Sequence, residues 1–295
     1  MTERPAVVHW REMALLALLA LLQGASFSFI KIAVESIPPL TLVMLRASIA
    51  LPVLWAVVLW RRDRIPTDRS TWGHFFIQAW TASIAPITLI IWGQQFVDTS
   101  LASVINSTTP LFVFIITALW TRHEAVTGRR LLGVVIGLGG AALIIGIDAL
   151  GGLGQHIAGQ LAMMGASVFY ALSAIFSRRF RGIPTAVTGA ATITWSIIVI
   201  VPVAFMVEDP LSATPTTASL AAALSLGLLS TAGTTLIYYR LTDTLGSMGA
   251  ASAGYMRAGF SVAIGIFLLG EPFTWTLAVG LTAVLAGVAA INSRR

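Results

Sequence analysis

Residues Gly246 to Ile291 read GSMGAASAGYMRAGFSVAIGIFLLGEPFTWTLAVGLTAVLAGVAAI. This is two apolar helices joined by a short hinge, Leu269-Gly270-Glu271-Pro272. The stretch has a second copy at an offset of 147 residues: Glu271 falls on Glu124, Thr274 on Thr127, Gly280 on Gly133, Gly287 on Gly140 and Ile291 on Ile144. Farther upstream, Thr235-Leu236-Ile237 falls on Thr88-Leu89-Ile90, and no gap is needed. Glycine and polar positions coincide along with the aliphatic ones, which shared composition alone does not produce. The offset therefore marks an internal duplication, the feature to seek first in any chain. It divides the sequence into two units, 1–147 and 148–295.

The rest of the sequence says what surrounds these units. Of 295 residues, 57% are hydrophobic and only 10% charged, against about 25% charged in a soluble domain. So much apolar surface needs lipid as its solvent. Ten runs approach the roughly 20 apolar residues that a membrane-spanning helix requires: 12–34, 39–60, 72–93, 99–121, 128–147, 158–178, 185–206, 217–240, 246–269 and 274–292. The first run is followed by small residues, like a signal peptide, but it continues apolar to Val34. Its Gly24-Ala25-Ser26 also recurs as Gly165-Ala166-Ser167, so we read it as a retained helix.

The net charge is +6. Its arginines sit in short clusters between apolar runs, which is a membrane pattern and not a nucleic-acid one. With the N-terminus placed in the cytoplasm, 15 of the 18 basic residues fall on that side, among them Arg61, Arg62, Arg64 and Arg69. The outer loops then carry Asp98, Asp148, Glu208, Asp209 and Glu271 and no basic residue. Both termini are thus expected on the cytoplasmic side of the membrane. Five helices per copy is an odd number, so the second copy is expected to enter the bilayer upside down. The expected fold is all-α, ten transmembrane helices as two inverted five-helix repeats around a central cavity, an arrangement that many transporters use.

Polar groups inside a bilayer are costly and so point to function. Ser28, Lys31 and Glu35 are spaced to share a face of the first helix. Two readings of Lys31 stay open: substrate contact, or outward snorkelling onto Glu35. Arg46 is read as structural, a partner for the same carboxylate. Arg257 sits mid-helix with no acidic residue within a turn, and its repeat mate is Pro110. A charge there calls for a wet cavity. In Asn106-Ser107-Thr108-Thr109-Pro110, proline frees a carbonyl one turn earlier. Such a break marks a site or is patched by hydroxyls. With Trp92, Gln95, Tyr170, Ser173, Thr234, Tyr238 and Tyr255, these residues complete the set of cavity candidates: Ser28, Lys31, Asn106, Thr109 and Arg257. Glu35, Arg46, Pro110, Glu124 and Glu271 are assigned structural roles. Gly133, Gly137 and Gly140, and Gly280, Ala283 and Gly287, are small-residue faces for close helix packing, within the monomer or in a homo-oligomer.

There is no cysteine, no Walker loop and no His-Glu-x-x-His motif, and the four histidines are scattered. No metal site, cofactor or enzymatic activity is expected. The expected partners are a small-molecule substrate and the bilayer.

Gly24-Ala25-Ser26-Phe27-Ser28-Phe29-Ile30-Lys31, followed by Ile37-Pro38-Pro39-Leu40-Thr41 and Leu45-Arg46-Ala47, resembles the opening of EamA-type transporters of the drug/metabolite transporter superfamily. Pro110 followed by His123-Glu124, and Leu269-Gly270-Glu271-Pro272, are similar as well. The resemblance covers essentially the whole chain. It implies an inner-membrane carrier exporting amino acids or other small metabolites. It also implies a cavity lined by the first, third, fourth, sixth, eighth and ninth helices, with the fifth and tenth peripheral. The chain departs from the pattern at Arg257, where proline is usual in the second repeat, and at His123, where glycine is usual. Other cargo, such as drugs or nucleotide sugars, and a non-transporting scaffold are the alternatives.

Overall fold

A computed structural model describes residues 7–97, 102, 105, 106, 108–121, 127–145, 156–257, 260 and 275–292. Glu124, Glu271 and His123 lie outside them. The described residues contain helices and no strand. We number the helices α1 (Val7–Ala33), α2 (Pro39–Arg61), α3 (Arg69–Gly93), α4 (Thr109–Ile116), α5 (Gly128–Ile145), α6 (Ile157–Phe176), α7 (Thr185–Val207), α8 (Thr217–Ala251) and α9 (Trp275–Asn292). Six are long and apolar enough to cross a membrane: α1, α2, α3, α6, α7 and α8. The protein is therefore a multi-pass membrane protein. The other four expected spans are described only in part or are shorter. Large apolar side chains face outward, Trp60 at 84% and Met206 at 85% exposed. Lipid, and not water, must cover them.

Local chemistry explains the helix ends. The third helix of each unit opens on a side-chain cap: Asp68 accepts from the Thr71 N–H in α3, and Thr216 from the Ser219 N–H in α8. Both helices then contain a π-turn, Trp80–Ile84 in α3 and Leu228–Gly233 in α8. α8 continues past the expected end at 240 and breaks at Gly246, which has φ 80° and ψ 175°. An L side chain is disfavoured at that φ, so glycine places the turn there.

At the start of α2, Pro38 and Pro39 have no N–H to offer, which leaves Leu40 and Thr41 as the first donors. Glu208, at the end of α7, accepts from both amides (2.9 and 2.8 Å) and from the Thr41 hydroxyl (2.9 Å). A carboxylate at a helix N-terminus also complements the dipole.

The packing comes in reciprocal pairs. α1 lies on α8 and α6 on α3; α2 lies on its repeat mate α7 and α5 on its mate α9. The α2–α7 pair is antiparallel: Thr41 meets Glu208, while Trp55 Nε1 donates to Thr194 Oγ1 at 3.1 Å. Progress along one helix is retreat along the other. In α5–α9, Gly133 faces Gly287 and Gly140 faces Gly280, so this pair is antiparallel too. The two glycine faces are thus used on each other within the chain, where the backbones touch.

Candidate functional site

Between the two main buried apolar clusters lies a cavity of about 170 Å3. By the volume one water needs, it has room for roughly a dozen waters, or a small solute with part of its hydration. α1, α2, α3, the 105–109 segment, α6, α7, α8 and the 250–257 segment contribute to its wall. No described residue of α5 or α9 does, in keeping with the peripheral place that the resemblance implies for them.

Of the expected cavity residues, Asn106, Thr109, Tyr170, Ser173, Thr234, Tyr238 and Arg257 line it. Ser28, Lys31, Trp92, Gln95 and Tyr255 do not. The reason is helical phase. On α1 the cavity face is Gln23, Ser26, Phe27 and Ile30, a stripe of three- and four-residue spacings. Ser28 and Lys31 each follow a lining residue by one, about 100° around the helix, and both are exposed. Lys31 and Glu35 are both exposed and no ion pair joins them. Trp92 is two residues beyond lining Ile90 and turns outward, its ring 5.0 Å from that of Phe96. Gln95 is exposed beyond the end of α3. Tyr255 is wholly buried: its hydroxyl donates to Val134 O at 3.1 Å, and its ring fills the space left by the missing side chain of Gly137. It anchors α5.

Arg46 requires a correction. It is 7% exposed and lines the cavity, and its Nε donates to Thr231 Oγ1 at 3.1 Å, across the two halves, and not to Glu35. The argument that singled out Arg257, a charge inside a span, applied equally to Arg46. What hid it was a conceivable partner nearby in sequence. Arg257 is 6% exposed, with its guanidinium 4.9 Å from the centre of the Phe27 ring. Tyr170 is within electrostatic reach of both guanidiniums. No described lining residue is acidic.

Pro110 behaves as the second of its two readings. It cannot donate to Asn106 O, and the Thr109 hydroxyl donates to that carbonyl at 2.8 Å instead. Ser167 Oγ reaches Ile105 O at 3.2 Å, tying α6 to the same break. The proline turn thus enters the wall with a carbonyl satisfied.

Several residues that the sequence did not single out complete the site. Gln78, fully buried, donates to Ser173 Oγ at 3.0 Å, and Tyr239 shares a 3.2 Å hydrogen bond with Thr192. Toward the N-terminal end of α1, Glu12 is nearly buried. It accepts from Arg240 Nη2 and Thr244 Oγ1, both at 2.9 Å, and so clamps α1 to α8.

The lining pairs up across the duplication. Gln23 and Tyr170, Ser26 and Ser173, and Ser83 and Ser230 are each 147 positions apart, and all six line the cavity. Recurrence of this kind at one fixed offset is a signal that the sequence offered and that single-residue polarity did not.

Comparison with known proteins agrees with this organisation. The profile of the EamA-like transporter family matches residues 10–146 and again 157–293. Over 91% of the chain, it is 23% identical to the uncharacterized transporter YoaV of Bacillus subtilis (strain 168), 92% of which is covered. It is 27% identical to an uncharacterized transporter of Archaeoglobus fulgidus, with 93% of this chain and 94% of that one aligned. It is 26% identical to the uncharacterized inner membrane transporter YedA of Escherichia coli (strain K12), over 86% of this chain and 81% of that protein. A solved crystal structure superposes with a TM-score of 0.76 at 17% identity, covering 94% of this chain and 96% of the other. At that identity the likeness is one of fold.

Proposed function

We propose that this chain, which belongs to the EamA-like transporter family, is a secondary transporter that exports small zwitterionic or anionic metabolites, amino acids first among them, across the inner membrane by alternating access. The observation that carries the substrate class is the cavity's charge: two guanidiniums, Arg46 and Arg257, and no described carboxylate. A low-dielectric wall strengthens their attraction for an anionic group. The same charges oppose a cationic drug.

The mechanism rests on an inverted repeat. Two repeat-equivalent helices that cross one bilayer and pack antiparallel must enter it from opposite sides, and α2–α7 and α5–α9 support that reading. The units are 1–147 and 148–295, with five spans in each and both termini cytoplasmic. The cavity then lies on the pseudo-two-fold axis, the position from which rocking of one half against the other exposes a site to either side. Separation of α1 from α8 at Glu12–Arg240 is the step that opens one end.

The test is counterflow of labelled amino acids in liposomes containing the purified chain. We expect exchange of carboxylate-bearing substrates by the wild type. Arg257→Ala should weaken apparent affinity about tenfold, the size of one charge-assisted hydrogen bond, and Arg257→Lys should recover part of it. Normal affinity in Arg257→Ala, measured per folded protein, would remove Arg257 from the substrate site.

A further inference from the structure

A duplicated chain would build a cavity whose two sides are alike. This cavity departs from that likeness around Arg46. Arg46 and Thr231 touch each other on one side. The residues 147 positions away are Ile193 and Ile84, both buried. Thr234, one turn beyond Thr231, corresponds to Ile87, and both line the cavity. α7 packs on the π-turn of α3 as α2 packs on the π-turn of α8. The exchanged residues are thus three polar ones on one side and three isoleucines on the other, of which Ile87 and Ile193 line the cavity.

The polar cluster is built to present a guanidinium. Thr231 has one hydroxyl proton, and it goes to Leu226 O at 2.8 Å, five residues back and just before the π-turn. Its oxygen is then an acceptor only, and takes the Arg46 Nε–H. Held by Nε, the guanidinium keeps its two terminal nitrogens for a planar anion, the fork geometry that suits a carboxylate. The seat is close-fitting. A side chain at Gly227 would come within 2.5 Å of Ile49 Cβ and 3.2 Å of Arg46 O. Glycine just before the π-turn lets the Arg46 turn of α2 settle on it. π-turns of this kind recur at functional sites. The isoleucine side chains have no such donors and offer apolar area alone.

We propose that the broken repeat symmetry makes this a two-ended site. Its substrate carries a carboxylate, received by Arg46 seated on Thr231, and an apolar side chain, received by Ile87 and Ile193. This rests on the transport reading above and narrows it. Large aliphatic amino acids and their deaminated analogues fit. Glycine leaves the apolar end empty. Thr231 is a positioning residue, and acts through Arg46.

Equilibrium binding to the purified protein tests this, with leucine, glycine and leucine methyl ester as probes. Wild type should bind leucine about tenfold or more over glycine, from the apolar area buried, and by a similar factor over the ester. Arg46→Ala should reduce the acid-over-ester ratio about tenfold. Thr231→Val should reduce it in part, and Thr231→Ser should keep it. Ile193→Ser should erase the preference for leucine over glycine and keep the preference for acid over ester. Equal binding of leucine and glycine by the wild type, an acid-over-ester ratio unchanged in Arg46→Ala, or binding of no probe at all overturns the two-ended site. The wild-type ratios decide the matter even where a variant fails to fold. Binding in the expected order without counterflow in liposomes overturns the transport reading instead, and leaves the two-ended site standing.

Discussion

Replacing Gly287 with alanine puts the α5–α9 contact to a quantitative test. A Cβ on Gly287 would stand 2.6 Å from Gly133 O, 2.7 Å from Gly137 N and 2.8 Å from Gly137 Cα. All three are backbone atoms, so no rotamer change relieves the clash. Ordinary contact begins at 3.4 Å, and going from 2.6 to 3.4 Å parts the helices by about 0.8 Å. A gap of that size forfeits a quarter to a half of each dispersion well along the seam, roughly. In lipid no hydrophobic term compensates, because the tails are as apolar as the helices. Overpacking of this sort costs about 1–3 kcal/mol. The better helix propensity of alanine recovers less than about 1 kcal/mol of it. Gly139 supplies the control. It lies on the same α5 with nothing within 4 Å of its would-be Cβ, so Gly139→Ala keeps the propensity gain and meets no clash. Gly140 supplies the symmetry check. It is the repeat mate of Gly287, and its Cβ would stand 2.7 Å from both Gly280 O and Val284 N. In reversible unfolding in mixed micelles, Gly287→Ala and Gly140→Ala should each lose about 1–3 kcal/mol, and Gly139→Ala should match or slightly exceed the wild type. Equal stability of all three variants would refute the backbone contact between α5 and α9. A loss in only one of Gly140 and Gly287 would refute its reciprocity.

Two further expectations follow from particular contacts. Glu208→Ala removes the acceptor for two amides and a hydroxyl at the start of α2. Water replaces part of this at a partly buried site, so thermal unfolding should report a loss of about 1–2 kcal/mol, typical of a helix cap; Glu208→Gln should lose less, and an unchanged melting point in Glu208→Ala would exclude the cap. Single cysteines introduced into this cysteine-free chain should label from outside at position 209 and only after permeabilisation at position 64, and the opposite pattern would reverse the topology.

Much of this was legible in the residues in order. The apolar excess required lipid. The offset of 147 was visible in Glu124 and Glu271, although these two lie outside the described residues. Such features depend on composition or on spacing along one chain, and a linear reading reaches them. The site was legible only in part. Asn106, Thr109 and Tyr170 were found by polarity, but polarity alone also selected Ser28, Lys31 and Trp92, which face away. The difference is a rotation of about 100° or more around a helix axis, and that rotation is set by the neighbours each helix packs against, not by its own sequence. Arg46 was assigned to the wrong partner because Glu35 is eleven positions away in sequence and Thr231 is on another helix in the other half. Glu12 and Arg240 form an ion pair across 228 positions for the same reason. Pairing of this range is decided by which helices the fold lays side by side. The sequence by itself determined that there are two alike units and that they live in lipid. Only the tertiary structure decided which faces of those units meet, and that Arg46 and Thr231 come together at their meeting place.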